Sequence, residues 1–216
     1  MDRQVLMVLA FLGGIALFMG AVLWFSNQKV AGLTQGLEAL AGRRGWTVAV
    51  DPEGRWKLSG TVDGVAFVVE AERPRKNASR LEMQPHRTRF VAHGAARSGS
   101  VVVLPKDAPS LSLGGPQLLA LVMFGKEFDA ALQAPEVAVP GPFGERFSVR
   151  AGGEADVADV IPEALRAGLL AWGDSHPRTP ALAGWVGDEA VLTTGVVLTD
   201  PEEVERFITL GRMTVR

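Results

Sequence analysis

Between Val5 and Phe25 the chain runs for twenty-one residues without a charge. At about 1.5 Å per residue this is roughly 31 Å of helix, the thickness of a bilayer's hydrocarbon core. A cleavable signal has a shorter apolar core, closed by small residues. Here the run closes on Leu23, Trp24 and Phe25, and the first A-x-A string, Ala39-Leu40-Ala41, comes too late to serve as a cleavage site. Cysteine is absent, which excludes a lipid anchor on an N-terminal Cys. Trp24 stands at headgroup level, with Asn27, Gln28 and Lys29 beyond it in water. The run therefore predicts an uncleaved, single-pass membrane anchor.

Orientation is only weakly encoded, because Arg3 on one side is offset by Asp2 and faces Lys29 on the other. A short tail, one span and a folded domain together favour an exported domain at a bacterial inner membrane. A bacterial source fits the composition, in which Arg outnumbers Lys seventeen to five. Within the span Gly13, Ala16 and Gly20 share one helix face, a small-residue stripe that lets helices approach closely. The partners implied are membrane lipid and, through the span, another membrane protein or a second copy.

The stretch after the span places Val30, Leu33, Leu37, Leu40 and Ala41 on one helical stripe and ends in Arg43, Arg44 and Gly45. It reads as a juxtamembrane amphipathic helix over 28–45 whose stripe packs on the sheet that comes next in the chain. The period then changes to two. "WTVAV", "RWKLSG", "VAFVVEA", "TRFVAH" and "SVVVLP" alternate, with "DPEG" and "VDG" as turns. Residues 46–104 are expected to form an antiparallel β-meander of about five strands.

Helical patterns come later in the chain. One opens at Pro116 and is broken by "PGPFG"; another covers "EADVADVIPEALRAGLLAWG", with Pro162 kinking it or starting a new helix. "LAGWVGDEAVLTTGVVL" reads as a hairpin turning at Gly187-Asp188-Glu189. The last helix is capped by Thr199 or Asp200, with Pro201 in its first turn and Gly211 beyond its end. The fold class is thus α+β: a transmembrane helix, a juxtamembrane helix, and an antiparallel meander covered by helices. The divisions are 1–27 (tail and anchor), 28–45, and a soluble domain over 46–216 with a possible sub-boundary near 105–142.

Catalytic signatures are sparse. "WGDSH" joins Ser175 to His176, and Gly-Asp-Ser opens the nucleophile block of a lipase and esterase family. That family needs the serine after its first strand and an Asp-x-x-His block near its end; here Ser175 follows a helix and no such block exists. An adjacent His is also expected to turn poorly onto the preceding hydroxyl. A membrane-anchored hydrolase using Ser175 and His176 is therefore the alternative reading, and a helix-ending turn the main one. With His86, His93 and His176 far apart and no Cys, neither a metal site nor a cofactor is expected. Asn77-Ala78-Ser79 is a glycosylation sequon, read as accidental in a bacterial chain.

Charge is distributed unevenly. Residues 73–97 hold seven Arg and Lys (Arg73, Arg75, Lys76, Arg80, Arg87, Arg89 and Arg97) against Glu82 alone. Residues 98–216 are net acidic, with nine positive and sixteen negative side chains. The basic segment is a candidate patch for anionic headgroups or an acidic partner. Only Phe90 offers an aromatic platform, which weighs against nucleic acid. The competing reading pairs the basic segment with acidic groups of its own domain. Alternation puts Arg87, Arg89, Val91 and His93 on one face of a strand and Phe90 and Ala92 on the other, toward the core. The whole reads as a non-catalytic accessory or scaffold module on a membrane anchor.

Overall fold

Local turn chemistry sets the first half of the sheet. The computed structural model describes residues 18–19, 21, 28–73, 86–94, 99–106, 123–152 and 161–215. Strands β1 (Thr47–Val50) and β2 (Trp56–Val62) meet at Asp51-Pro52-Glu53-Gly54. The Gly54 amide donates to the Asp51 carbonyl at 2.9 Å, and Gly54 takes φ +74°, where a side chain would be strained. Asp63 and Gly64, both at positive φ, join β2 to β3 (Val65–Glu72) in a two-residue turn whose twist suits the strands. β4 (Arg87–His93) then pairs with β3, from Phe67 opposite Ala92 to Glu72 opposite Arg87.

The expected five-strand meander is corrected at its last step. β5 (Ser100–Pro105) does not lie beside β4. The hairpin of β8 (Ala181–Val186) and β9 (Glu189–Thr194) inserts between them, turning on Gly187 and Asp188 alone. With β6 (Glu136–Val137) and β7 (Phe147–Gly152), nine strands among the described residues run in the order β1-β2-β3-β4-β9-β8-β5-β7-β6, every pair antiparallel. Burial explains the insertion. Residues 181–185, 190–194 and 101–105 are buried on both faces, and strands of that kind belong in the middle of a sheet.

Three helices cover one face. The first, α1, spans residues 28–44 and turns Leu33, Leu37, Leu40 and Ala41 inward, the stripe read from the sequence. Among the later helices, α2 (Asp129–Gln133) and α3 (Pro142–Arg146) are short. α4 (Glu163–Ser175) begins after Pro162, which caps rather than kinks it. α5 (Pro201–Arg212) starts on Asp200, whose carboxylate accepts from the Glu202 amide at 2.9 Å. Leu37, Leu165, Leu169, Phe207 and Ile208 meet Leu58, Phe67, Phe90, Ala183, Trp185 and Leu192 in one core.

Gly211 lies inside α5 rather than past its end. A β-carbon there would sit 2.6 Å from the Phe90 ring, so the glycine serves close approach and not termination. The helix expected from Pro116 is also revised: residues 107–122 lie outside the described residues, and beyond them Gly125, at φ +114°, divides the helical turns. "PGPFG" does not merely break the chain, since Pro142 opens α3.

Of the expected span only Phe18, Met19 and Ala21 are described, helical and exposed. The rest of it, with Gly13, Ala16 and Gly20, lies outside the described residues, as does Asn77. Among the described residues no helix is long and apolar enough to cross a membrane.

Candidate functional site

The serine and histidine singled out in the sequence meet at the C-terminal end of α4. Chain direction changes at His176 (φ −130°, ψ 61°), and its ring folds back over Trp172 with centroids 4.1 Å apart and planes within 9°. This brings His176 Nδ1 to 2.9 Å from Ser175 Oγ and Nε2 to 3.5 Å from Glu203 Oε1 on α5. The expectation that an adjacent histidine would turn away from the hydroxyl is therefore corrected: leaving the helix at His176 gives the ring the freedom it needs.

The serine hydroxyl has competing partners in the helix backbone. Ser175 Oγ donates toward the carbonyls of Trp172 (3.0 Å) and Ala171 (3.2 Å), as helix-end serines do. Nδ1 also lies 3.3 Å from the Trp172 carbonyl, so the serine hydroxyl and the ring nitrogen share one acceptor at the end of the helix. The surrounding carbonyls, at the negative end of the helix dipole, would also oppose an alkoxide.

The basic segment lies elsewhere. Phe90 and Ala92 point into the main core and Arg87, Arg89 and Val91 to the opposite face, as alternation requires. That opposite face is partly covered along β4, closed over Arg87, half-open at Arg89 and Val91 and exposed at His93. Met123, Phe124, Phe128, Ala131 and Leu132 cover it, packing on Val102, Leu104, Leu182 and Val191. Arg87 is buried at 8% exposure, donates to both carboxylate oxygens of Glu72 at 3.1 Å, and reaches the Met123 carbonyl. Arg89 contacts Glu189 at 3.1 Å and Glu127 at 3.4 Å.

Two of the expected patch residues are thus engaged by acids of their own domain. Arg73 touches the Glu53 carbonyl at 3.4 Å, while Arg75, Lys76, Arg80 and Arg97 lie outside the described residues. Phe124 and Phe128 went unread in the sequence. The available signal was Gly184 in the middle of a buried strand, where a β-carbon would stand 2.7 Å from Phe128.

An open cleft of about 690 Å³ runs beside β1, β2 and β3, lined in part by Ala49, Asp51, Arg55, Lys57, Glu70 and Arg73. Most of its charges are matched: Lys57 with Glu70 at 2.6 Å, and Arg55 with Asp51 at 2.5 Å and Glu53 at 3.1 Å. Burial alone would raise the Asp51 carboxyl. The Arg55 guanidinium and the amides of Arg55 and Glu53 outweigh that and hold it below the usual carboxylate range. Among the described residues no three His, Asp or Glu side chains group closely enough to hold a metal. His86 and His93 are exposed at opposite ends of β4.

Fold and sites together define an α+β domain on a nine-stranded antiparallel sheet, with its notable ionisable groups paired to one another. The same fold is found in the crystal structure of the mycobacterial trehalose monomycolate transport factor A, TtfA, with a TM-score of 0.50. The likeness covers 85% of this chain and 93% of TtfA at 10% sequence identity. No protein-family profile matches the chain, and no curated protein sequence matches it.

Proposed function

We propose that the protein is a membrane-anchored, non-catalytic accessory or scaffold protein associated with transport in a bacterium, acting through protein or membrane-surface contacts of its α+β domain. The observation that carries this reading is the likeness to TtfA, which spans nearly the whole of both chains and whose own description is that of a transport factor. The uncharged run Val5–Phe25 supports the anchor. The basic residues Arg73, Arg75, Lys76, Arg80 and Arg97 are the proposed contact for anionic headgroups, since Arg87 and Arg89 are held by glutamates.

Carbonate washing of membranes should leave the full chain in the pellet, and release of a shortened chain into the supernatant would overturn the anchor. Reconstituted into vesicles with a photoactivatable anionic lipid, the full chain should cross-link within 73–97. Reversing Arg75, Lys76 and Arg80 to Glu should weaken that cross-link several-fold, and no weakening would remove the headgroup contact.

A second reading rests on a specific contact, the approach of Ser175, His176 and Glu203. It is a membrane-anchored hydrolase. Ester and phosphoester substrates offered to the full chain should show no turnover that Ser175→Ala abolishes; such turnover would replace the accessory reading.

A further inference from the structure

The two edges of the sheet differ in how they are guarded. β6 is two residues long, flanked by Pro135 and Pro140, and its Glu136 faces Lys106 at 3.5 Å. Short length, proline and charge are the usual defences of an edge strand. β1, "TVAV", has no charge, no proline and no bulge, and among the described residues no strand lies beyond it. Its hydrogen-bonding direction is set by the turn. The Asp51 amide donates to the Arg55 carbonyl at 2.9 Å, so in an antiparallel ladder Ala49 opposite Lys57 and Thr47 opposite Ser59 are the bonded pairs. The amides and carbonyls of Val48 and Val50 therefore point away from β2, to the open edge.

We infer that β1 pairs with β1 of a second copy of this chain, antiparallel across a two-fold axis at Ala49. Opposed residues in such a pair share a face, which restricts the register to a few choices. With Ala49 opposite its own copy, Val48 faces Val50 of the partner subunit twice over. All four outward groups of Val48 and Val50 then bond across the seam on each side. Sliding by one step toward the turn sets Val48 against Pro52, which has no amide hydrogen. Sliding the other way sets Val50 against Trp46, whose amide already donates to the Ala41 carbonyl at 2.9 Å. The central register alone gives every outward carbonyl of Val48 and Val50 a donor as well as every outward amide an acceptor. It also joins the half-buried Val48 and Val50 of both copies into one apolar stripe and places no like charges opposite each other within the strand.

The chain contains no cysteine, so single introduced cysteines report the register directly. In the full-length chain in detergent, Ala49→Cys should give a disulfide-linked dimer on mild oxidation, because a self-opposed, non-hydrogen-bonded pair has its Cα atoms about 4.5 Å apart. Thr47→Cys lies on the same exposed face but four residues out of register, and Val48→Cys two. Both should give at least about tenfold less dimer, their Cα atoms lying beyond the roughly 7 Å that a disulfide spans. Adding Val48→Pro to Ala49→Cys removes an outward amide that β2 does not use, and should abolish the dimer while the thermal melt persists. Equal cross-linking at all three positions, no cross-link at Ala49→Cys, or a dimer undiminished by Val48→Pro would each overturn the proposal. So would a cross-link from Ala49→Cys to a different protein in place of a second copy.

Discussion

On one face of the sheet Phe67, Phe90 and Leu192 lie under three helices that themselves meet side by side. On the other, Val102, Leu182 and Val191 lie under residues 123–134, a stretch whose only helical pieces are a single turn or so each. The first cover is made of elements with their own regular hydrogen bonding. The second is held by what it touches: Phe124 and Phe128 against Gly184, and the Met123 carbonyl on Arg87. The contrast teaches that buried area is not the whole of stability. A cover with little internal structure opens on its own, at a lower free energy than the sheet beneath it.

The comparison breaks most visibly at Phe90. Phe90→Ala removes a fully buried ring that touches Gly211 and stacks on Phe67. It should cost about 3–5 kcal/mol of global stability, read as a shift in denaturant midpoint. Phe128→Ala on the opposite face should cost about 3 kcal/mol, the low end for a buried phenylalanine. Hydrogen exchange should show the distinction: faster exchange confined to 123–134, with β3 and β4 still protected. Exchange rising equally across the sheet would mean that the two covers are one cooperative unit.

Arg87→Met tests the polar part of the second cover. It leaves Glu72 without its bidentate partner and the Met123 carbonyl without its donor, and should cost about 1–2 kcal/mol in the same denaturation. The smallest effect lies at the Asp51 turn. Its carboxyl is held below the usual range, so its contribution is complete above that range and is lost as pH falls through the folded value. Amide exchange at Gly54 and Arg55 should therefore loosen only below about pH 4, the unfolded carboxylate range. Asp51→Asn should remove that pH dependence.

Much of the architecture was legible because its signals are local. The alternation of β1 to β4, the turns at Asp51–Gly54 and Asp63–Gly64, the inward stripe of α1 and the Asp200 cap each need only neighbours in sequence. The position of β8 and β9 between β4 and β5 did not show, since a hairpin states its own pairing but not its place among other strands. A sign of it was present in the unbroken apolar run Val101–Leu104, which suits a strand covered on both sides better than one open to water. The ring of His176 was misjudged for another reason. Its direction depends on the backbone turn at the end of α4 and on the Trp172 face, neither of which spacing reveals. The fate of Arg87 and Arg89 depends likewise on distant chain: the Met123 carbonyl over Arg87, and Glu189 on the inserted hairpin beside Arg89.

The seating of α1 has a mechanical side. Gly36 lets Pro201 approach so closely that a β-carbon would stand 2.4 Å from its ring, and Arg44 grips Glu205 at 2.5 Å. The helix is thus bolted to α5 as well as seated on the sheet through Leu33, Leu37 and Leu40. From about residue 30 onward the chain is not a tether. A pull on its N-terminal end loads the hydrophobic core directly, like a lever clamped along most of its length, and a change in the tilt of this helix carries the sheet with it.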